Sequence, residues 1–241
     1  MHEDVVGKVR SSAVAAMVLG GALLPATASA FEANSWVVRG GATTVAPDVS
    51  SDQLKLNGSK QAFINAVGPA ELDVDNDTQL GLTVEYMFTS NWGLEILAAT
   101  PFKHTATGTD SLSGLDVAEV KHLPPTVSAV YHFNEGSVFR PYVGAGINYT
   151  VFFSENLTNQ ANAAFDSLGL TGGNLDMDDS WGVALQVGAD YNIKDNWWLN
   201  ASVRWIDIST SADITFDDGT RVSSDMDLDP FVYSIMVGYS F

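Results

Sequence analysis

Apolar and polar residues alternate with period two in eight segments spread over residues 36 to 241, the pattern of β-strands with two unlike faces. In "RPYVGAGINYTVFF", Val143, Ala145, Ile147, Tyr149, Val151 and Phe153 share one face, against Arg140, Tyr142, Gly144, Gly146, Asn148 and Thr150. "SWGVALQVGADYNI" sets Trp181, Val183, Leu185, Val187, Ala189, Tyr191 and Ile193 against Ser180, Gly182, Ala184, Gln186, Gly188, Asp190 and Asn192. "QLGLTVEYMF" and "WGLEILAATPF" repeat this, and weaker versions run from Trp36 to about Val45, Glu119 to Phe133 and Trp197 to Phe216. The last segment carries Phe231, Tyr233, Ile235, Val237, Tyr239 and Phe241 on one face, with Val232, Ser234, Met236, Gly238 and Ser240 on the other. Successive side chains of a strand point to opposite faces, so each segment has one large apolar face and one small, mostly polar face.

The links between segments alternate in length. "TSN", "NEGS" and "KDN" are short polar turns, whereas long connections run from about Pro47 to Thr78, His104 to Ala118 and Ser154 to Met177, with a shorter one over 216–221. An all-β, eight-stranded antiparallel up-and-down barrel follows, with tight turns at one rim, long loops at the other, and the last strand back beside the first. Space decides which face points inward. The interior of an eight-stranded barrel only just accommodates side chains, so glycines, serines, Asn148, Gln186 and single charges fit there, and stacked Trp, Tyr and Leu do not. A soluble lipocalin-like barrel would carry the reverse pattern. The apolar face therefore points outward, where lipid tolerates it, and the barrel is transmembrane, with Trp92, Phe133, Tyr191, Trp197, Tyr239 and Phe241 as an interfacial girdle.

Composition narrows the partners. Asp+Glu 29 against Lys+Arg 11 leaves a formal net charge of -18, which argues against nucleic acid, since neutralising phosphates needs a basic surface. The absence of cysteine excludes disulfides and thiolate metal sites. Lys8 and Arg10 precede the apolar stretch "SAVAAMVLGGALL", and Ala28-Ser29-Ala30 supplies small residues before Phe31; residues 1–30 read as an export signal and 31–241 as the barrel.

Six ordered blocks, "TQLGLTVEYM", "NWGLEILAATPFKH", "VKHLPPTVSAVYHF", "RPYVGAGINYT", "DSWGVALQVGADY" and "LDPFVYSIMVGYSF", resemble the signature segments of the OmpW family of small outer-membrane proteins. The resemblance is weakest over 47–75 and 154–175. It implies an eight-stranded barrel in the outer membrane of a Gram-negative bacterium, with a narrow, largely apolar channel that helps small hydrophobic molecules across. The implied partners are outer-membrane lipid and lipopolysaccharide, those hydrophobic substrates and the barrel-assembly machinery, with no cofactor and no catalysis. The other function consistent with such a barrel is a non-transporting structural protein or surface receptor. Phe241, with Tyr239, resembles the terminal aromatic signal by which such barrels are recognised for assembly.

Arg39, Glu85, Glu95, Arg140 and Arg204 are the charges expected inside. Paired cations and carboxylates stabilise one another where either alone is costly, so the set reads as an internal plug or, alternatively, an ion-selectivity filter. The resemblance departs at Arg204, where the family carries an aromatic residue. Either the channel is less apolar here, or Arg204 pairs with Glu95 and leaves room above it. Leu97, Val130, Phe152, Asn148 and Gln186 are the expected channel lining. Pro124 and Pro125, two consecutive residues without N–H donors, interrupt the fourth strand and mark a lateral opening or a rim bulge.

Other constellations are weaker. Gly144 and Gly146 lack the third glycine and the helix of a dinucleotide loop, and His104, His122 and His132 come with no Ser/His/Asp spacing that places a triad. The acidic clusters at 73–77 and 176–179 read as solvated loops or weak cation sites, with no metal assigned. "QANAAFDSLG" suggests a short helix leaning over the channel mouth.

Overall fold

The computed structural model describes residues 31–241; the export segment expected over residues 1–30 lies outside the described residues. Eight antiparallel strands close into a barrel: β1 (Trp36–Ala46), β2 (Asp77–Met87), β3 (Trp92–Ala99), β4 (Thr126–His132), β5 (Phe139–Leu157), β6 (Ser180–Lys194), β7 (Trp197–Ile206) and β8 (Phe231–Ser240). Each pairs with the next, and β8 returns to β1 in the register Thr43↔Ser234 and Arg39↔Gly238.

The apolar face points outward, as the space argument requires. On β8, Phe231, Ile235 and Val237 are exposed while Val232, Ser234, Met236 and Ser240 are buried. Trp181 at 70% and Leu80 at 64% are among the most exposed large side chains, a surface only lipid can cover. Ten residues of β8, at ~3.3 Å each and tilted by ~40°, span ~25 Å, the height of an outer-membrane apolar band. Aromatics line the short-turn rim, where Trp36–Tyr86, Trp92–Tyr131 and Trp197–Tyr239 pack with centroids 4.9, 5.0 and 5.1 Å apart.

At the other rim the long connections are folded. Strands Phe102–Gly108 and Asp116–Leu123 form a hairpin that attaches to the upper part of β5 through Val151↔Leu123 and Phe152↔His122, with Leu72–Val74 added at its edge. Ser209–Thr215 and Arg221–Asp227 form a second hairpin, flanked by Asn174–Met177 and by the short strands Ser50–Ser51 and Lys55–Leu56. Helices α1 (Lys60–Ala66) and α2 (Asn159–Ser167) are capped by Ser59 and Thr158, whose hydroxyls accept from Ala62 N at 3.2 Å and Ala161 N at 3.0 Å. The helix expected in the third connection is α2; α1 was not foreseen.

These extensions invert the polarity of the barrel below them. Phe102, Val120, Ile214, Val222 and Met226 turn inward, and Lys103, Glu119, Lys121, Arg221 and Asp225 turn outward. Such a wall suits water outside and an apolar interior, so it stands above the lipid. The inversion also breaks two segments expected to be continuous: 119–133 divides at Pro124–Pro125, and 197–216 divides at Asp207–Ile208.

Candidate functional site

Arg39 is the hub of the lower bore. Its Nε and Nη2 each lie 2.9 Å from a carboxylate oxygen of Asp190, and its Nη1 donates to Glu85 Oε2 at 2.8 Å and Glu95 Oε2 at 3.4 Å. Glu85 and Glu95 stand directly opposite each other on β2 and β3, an arrangement that repels unless a cation bridges it. Arg39 is that bridge. His132 Nε2 lies 2.7 Å from Glu85 Oε1, Arg204 Nη2 lies 2.7 Å from Glu95 Oε1, and Gln186 joins both Arg204 and Glu95. Asn200, opposite Asp190, donates to Asp190 Oδ1 at 2.9 Å and to the Tyr142 hydroxyl at 3.1 Å. Two glycines make room: a Cβ on Gly238 would come 2.8 Å from Arg39 Cγ, and one on Gly93 would come 2.2 Å from Glu85 Oε1.

Of the five charges expected inside, Arg39, Glu85, Glu95 and Arg204 meet in this network. Arg140 does not: its guanidinium lies over the Phe31 ring at 4.6 Å and donates to the Ser90 carbonyl, nearer the short-turn rim. Asp190 and His132 complete the network and were absent from the sequence-derived set. Asp190 sits in the inward register of its segment, so that register was the signal for it. Below the network, Phe31, Val37, Met87 and Trp198 pack into an apolar cluster, and the inward side chains from there up to Gln186 and Arg204 are buried.

Above this floor the folded extensions enclose an apolar cavity of about 100 Å³, several times the volume needed by one water. Val45, Leu54, Val117, Phe152, Ile214 and Met226 are among its walls. A second chamber of about 250 Å³ beside α1 and α2 shares Phe63, Val67, Phe165, Leu168 and Val222 with it. Of the five residues expected to line a channel, Phe152 lines the cavity. Gln186 belongs to the floor, and Leu97 and Val130 are buried outside the cavity lining. Asn148 is engaged in the wall, donating to Pro125 O at 3.1 Å and to Thr126 Oγ1 at 3.0 Å.

The wall changes at Pro124 and Pro125. On the β5 side the seam is bonded, with Tyr149 N donating to Pro125 O at 3.2 Å. On the β3 side the ladder stops at Leu97↔Thr126 and resumes only at Phe102↔His122. Among the described residues, no strand pairing joins Ala98–Pro101 to Leu123–Pro125.

His104 and His122 also line the cavity, and their rings stack 4.9 Å apart between Phe102 and Phe152. Burial, with His104 close by, pushes His122 down to about 3, so its ring is neutral at ordinary pH. Asp75, Asp77 and Asp179, from the acidic clusters, accept backbone N–H groups of Thr105, Lys103 and Phe152 at 2.7, 2.8 and 3.1 Å; they brace the extensions. Among the described residues, no cluster of three or more metal-ligating side chains occurs.

A model of the OmpW family matches residues 32–241. Outer membrane protein W of Vibrio cholerae serotype O1 is 44% identical over 224 residues, covering 91% of this chain and 94% of that protein. The dibenzothiophene metabolism operon protein PahQ of Pseudomonas aeruginosa is 26% identical over 210 residues, covering 87% of this chain and 90% of that one. The crystal structure of the outer membrane protein OprG from Pseudomonas aeruginosa superposes with a TM-score of 0.78 at 39% identity, over 88% of this chain and 98% of that chain.

Proposed function

Because the chain belongs to the OmpW family of outer-membrane β-barrels, we propose that it passes small hydrophobic molecules from outside the cell into the outer membrane, releasing them sideways through the barrel wall. The observation that carries this reading is an apolar cavity above an ion-pair network, with the cavity residue His122 next in the chain to an unpaired stretch of wall. A hydrophobic solute gains nothing by crossing Arg39, Glu85 and Asp190, whose desolvated charges already satisfy one another. The gap between Ala98–Pro101 and Leu123–Pro125 offers it lipid instead, and proline at 124 and 125 withholds the N–H groups that would close the ladder. A relative named for dibenzothiophene metabolism, an apolar aromatic substrate class, agrees with this direction. In the same reading residues 1–30 are the export signal, and the partners are outer-membrane lipid, lipopolysaccharide and the assembly machinery.

The test is uptake of a radiolabelled aromatic hydrocarbon by cells with and without the protein, and with Pro124→Thr combined with Pro125→Val. The native protein should raise the rate and the double variant should lower it, with the barrel still heat-modifiable on gels. Equal rates with and without the protein would favour a non-transporting envelope barrel. Native rates in a folded double variant would remove the lateral route and leave uptake standing.

A further inference from the structure

Lys103 and Lys121 stand directly opposite each other on the hairpin that continues the wall above Pro124 and Pro125, and both side chains are exposed on its outer face. Like charges in that relation repel unless something of opposite sign lies between them. The protein meets this need on one side only. Lys103 Nζ lies 2.9 Å from Glu119 Oε1 in a weakly held pair whose side chains are both 48% exposed, and Lys121 has no carboxylate partner among the described residues. The other cations above the lipid, Lys55, Lys60 and Arg221, are held by Asp225, Asp52 and Asp213. In a chain of formal net charge -18, a pair of cations left short of acid is an exception. The neighbouring rows indicate what lies outside it. Below the lysines the outward positions of the same strand line, Val127, Pro125 and Leu123, are apolar, and Leu123 is opposed by Val151. Level with the lysines, Phe153 lies opposite Lys121; above them, Thr105 and Asn156 flank Glu119. An apolar row, then a cationic one, then a polar one is the order of acyl chains, charged head groups and water met on leaving a bilayer. The step from Leu123 to Lys121 is two residues, ~7 Å of strand, which sets the lysines at head-group depth.

We propose that Lys103 and Lys121 clamp a phosphate monoester of the outer-leaflet glycolipid, the lipid A part of lipopolysaccharide. The proposal rests on the reading of lipopolysaccharide as a partner and gives that partner a place on the wall. A phosphate monoester carries a charge of about -1.5 to -2 at pH 7, which two adjacent ammonium groups balance, whereas the phosphodiester of a phospholipid carries a single charge. Lysine suits the task because it offers a point charge on a flexible stem that follows a mobile head group. Lys103 can leave Glu119 for the phosphate, since an exposed pair of that kind contributes little. The acyl chains of the same lipid then run down over Leu123, Pro125 and Val127, beside the stretch of wall that lacks strand pairing to Ala98–Pro101.

The test titrates the assembled barrel in a zwitterionic detergent with diphosphoryl lipid A and reads bound lipid by native mass spectrometry. Lys103→Gln combined with Lys121→Gln should weaken binding about thirtyfold, the worth of two lysines at an anionic lipid surface. Lys55→Gln combined with Lys60→Gln, which removes the same charge from the other extension, should leave binding within about twofold of native. Lipid A stripped of its phosphates should bind the native protein and the Lys103, Lys121 double variant alike. Unchanged binding of diphosphoryl lipid A by that folded double variant overturns the clamp and leaves lipopolysaccharide a partner held elsewhere; no binding by the native protein overturns both. Phosphatidylglycerol bound as tightly as lipid A, and through the same lysines, overturns the assignment to lipid A. Should the double variant not assemble, acetylation of the native protein by acetic anhydride decides. Lipid A should shield Lys103 and Lys121 while Lys60 and Lys194, 48% and 81% exposed, react as before, and equal labelling with and without lipid overturns the clamp.

Discussion

Arg39→Met keeps most of the volume of the side chain and deletes the guanidinium that holds three carboxylates. Arg39 is 1% exposed, and its partners Glu85, Asp190 and Glu95 are 0%, 0% and 2% exposed, so water cannot replace what the substitution removes. Glu95 keeps Arg204 and Gln186, and Glu85 keeps His132. Asp190 keeps only the amide of Asn200 within hydrogen-bond range and loses two contacts of 2.9 Å. Removing one member of a buried pair typically costs ~3–5 kcal/mol. A ceiling of similar size applies, because an ordinary carboxylate can take up a proton at pH 7 for ~4 kcal/mol. The expected loss is therefore ~3–5 kcal/mol, read as a lowered urea midpoint for folding into lipid vesicles, followed by heat-modifiable mobility. Adding Asp190→Asn to Arg39→Met should restore part of that loss, since the uncompensated charge goes with the group. A loss below ~1 kcal/mol, with the barrel otherwise native, would refute the claim that Arg39 holds this floor together.

Two further outcomes follow from the same reasoning. His122, held near 3 in the folded protein and close to 6.5 in an unfolded chain, makes the unfolded state the one that binds more protons between those values. Stability of the outer extensions should thus fall as pH drops from about 6.5 toward 3, by up to ~5 kcal/mol if the whole shift is expressed. Because His104 and Asp77 also act on this ring, the contribution is isolated by comparing native protein with His122→Phe in amide hydrogen exchange at pH 7 and pH 4.5; parallel pH slopes would exclude it. Deleting Phe241, whose ring is 64% exposed and packs 5.3 Å from Tyr239, should lower the yield of assembled barrel in cells far more than it lowers stability in vesicles. Equal, small effects in both assays would mean that the ring is part of the girdle alone.

The faces of the strands were legible because a period of two is a local property: Phe231 to Phe241 declare their side within one strand. Height along the barrel is not local, and that is where the sequence reading fell short. Arg140 and Asp190 pair directly between β5 and β6 and share the inward register, yet one guanidinium turns to Phe31 and Ser90 while the carboxylate turns to Arg39, 151 residues away in the chain. No alternation pattern distinguishes those two directions. The outer extensions did carry a usable signal, since charge moves to the outward positions in "FKHTATG" and in "RVSSDMD" while the apolar residues move inward. Taken as loops because the connections between membrane-length strands are long, they were instead strands whose solvent had changed from lipid to water. The same change fixes where the cavity lies. A barrel with lipid outside needs small polar groups in its bore and closes on itself, whereas one with water outside must turn its large apolar side chains inward, and here those side chains leave a cavity of about 100 Å³ between them. The cavity, its two stacked histidines and the broken ladder at Pro124 all sit at that boundary, where the rule that packs one half of the wall gives way to the rule that packs the other.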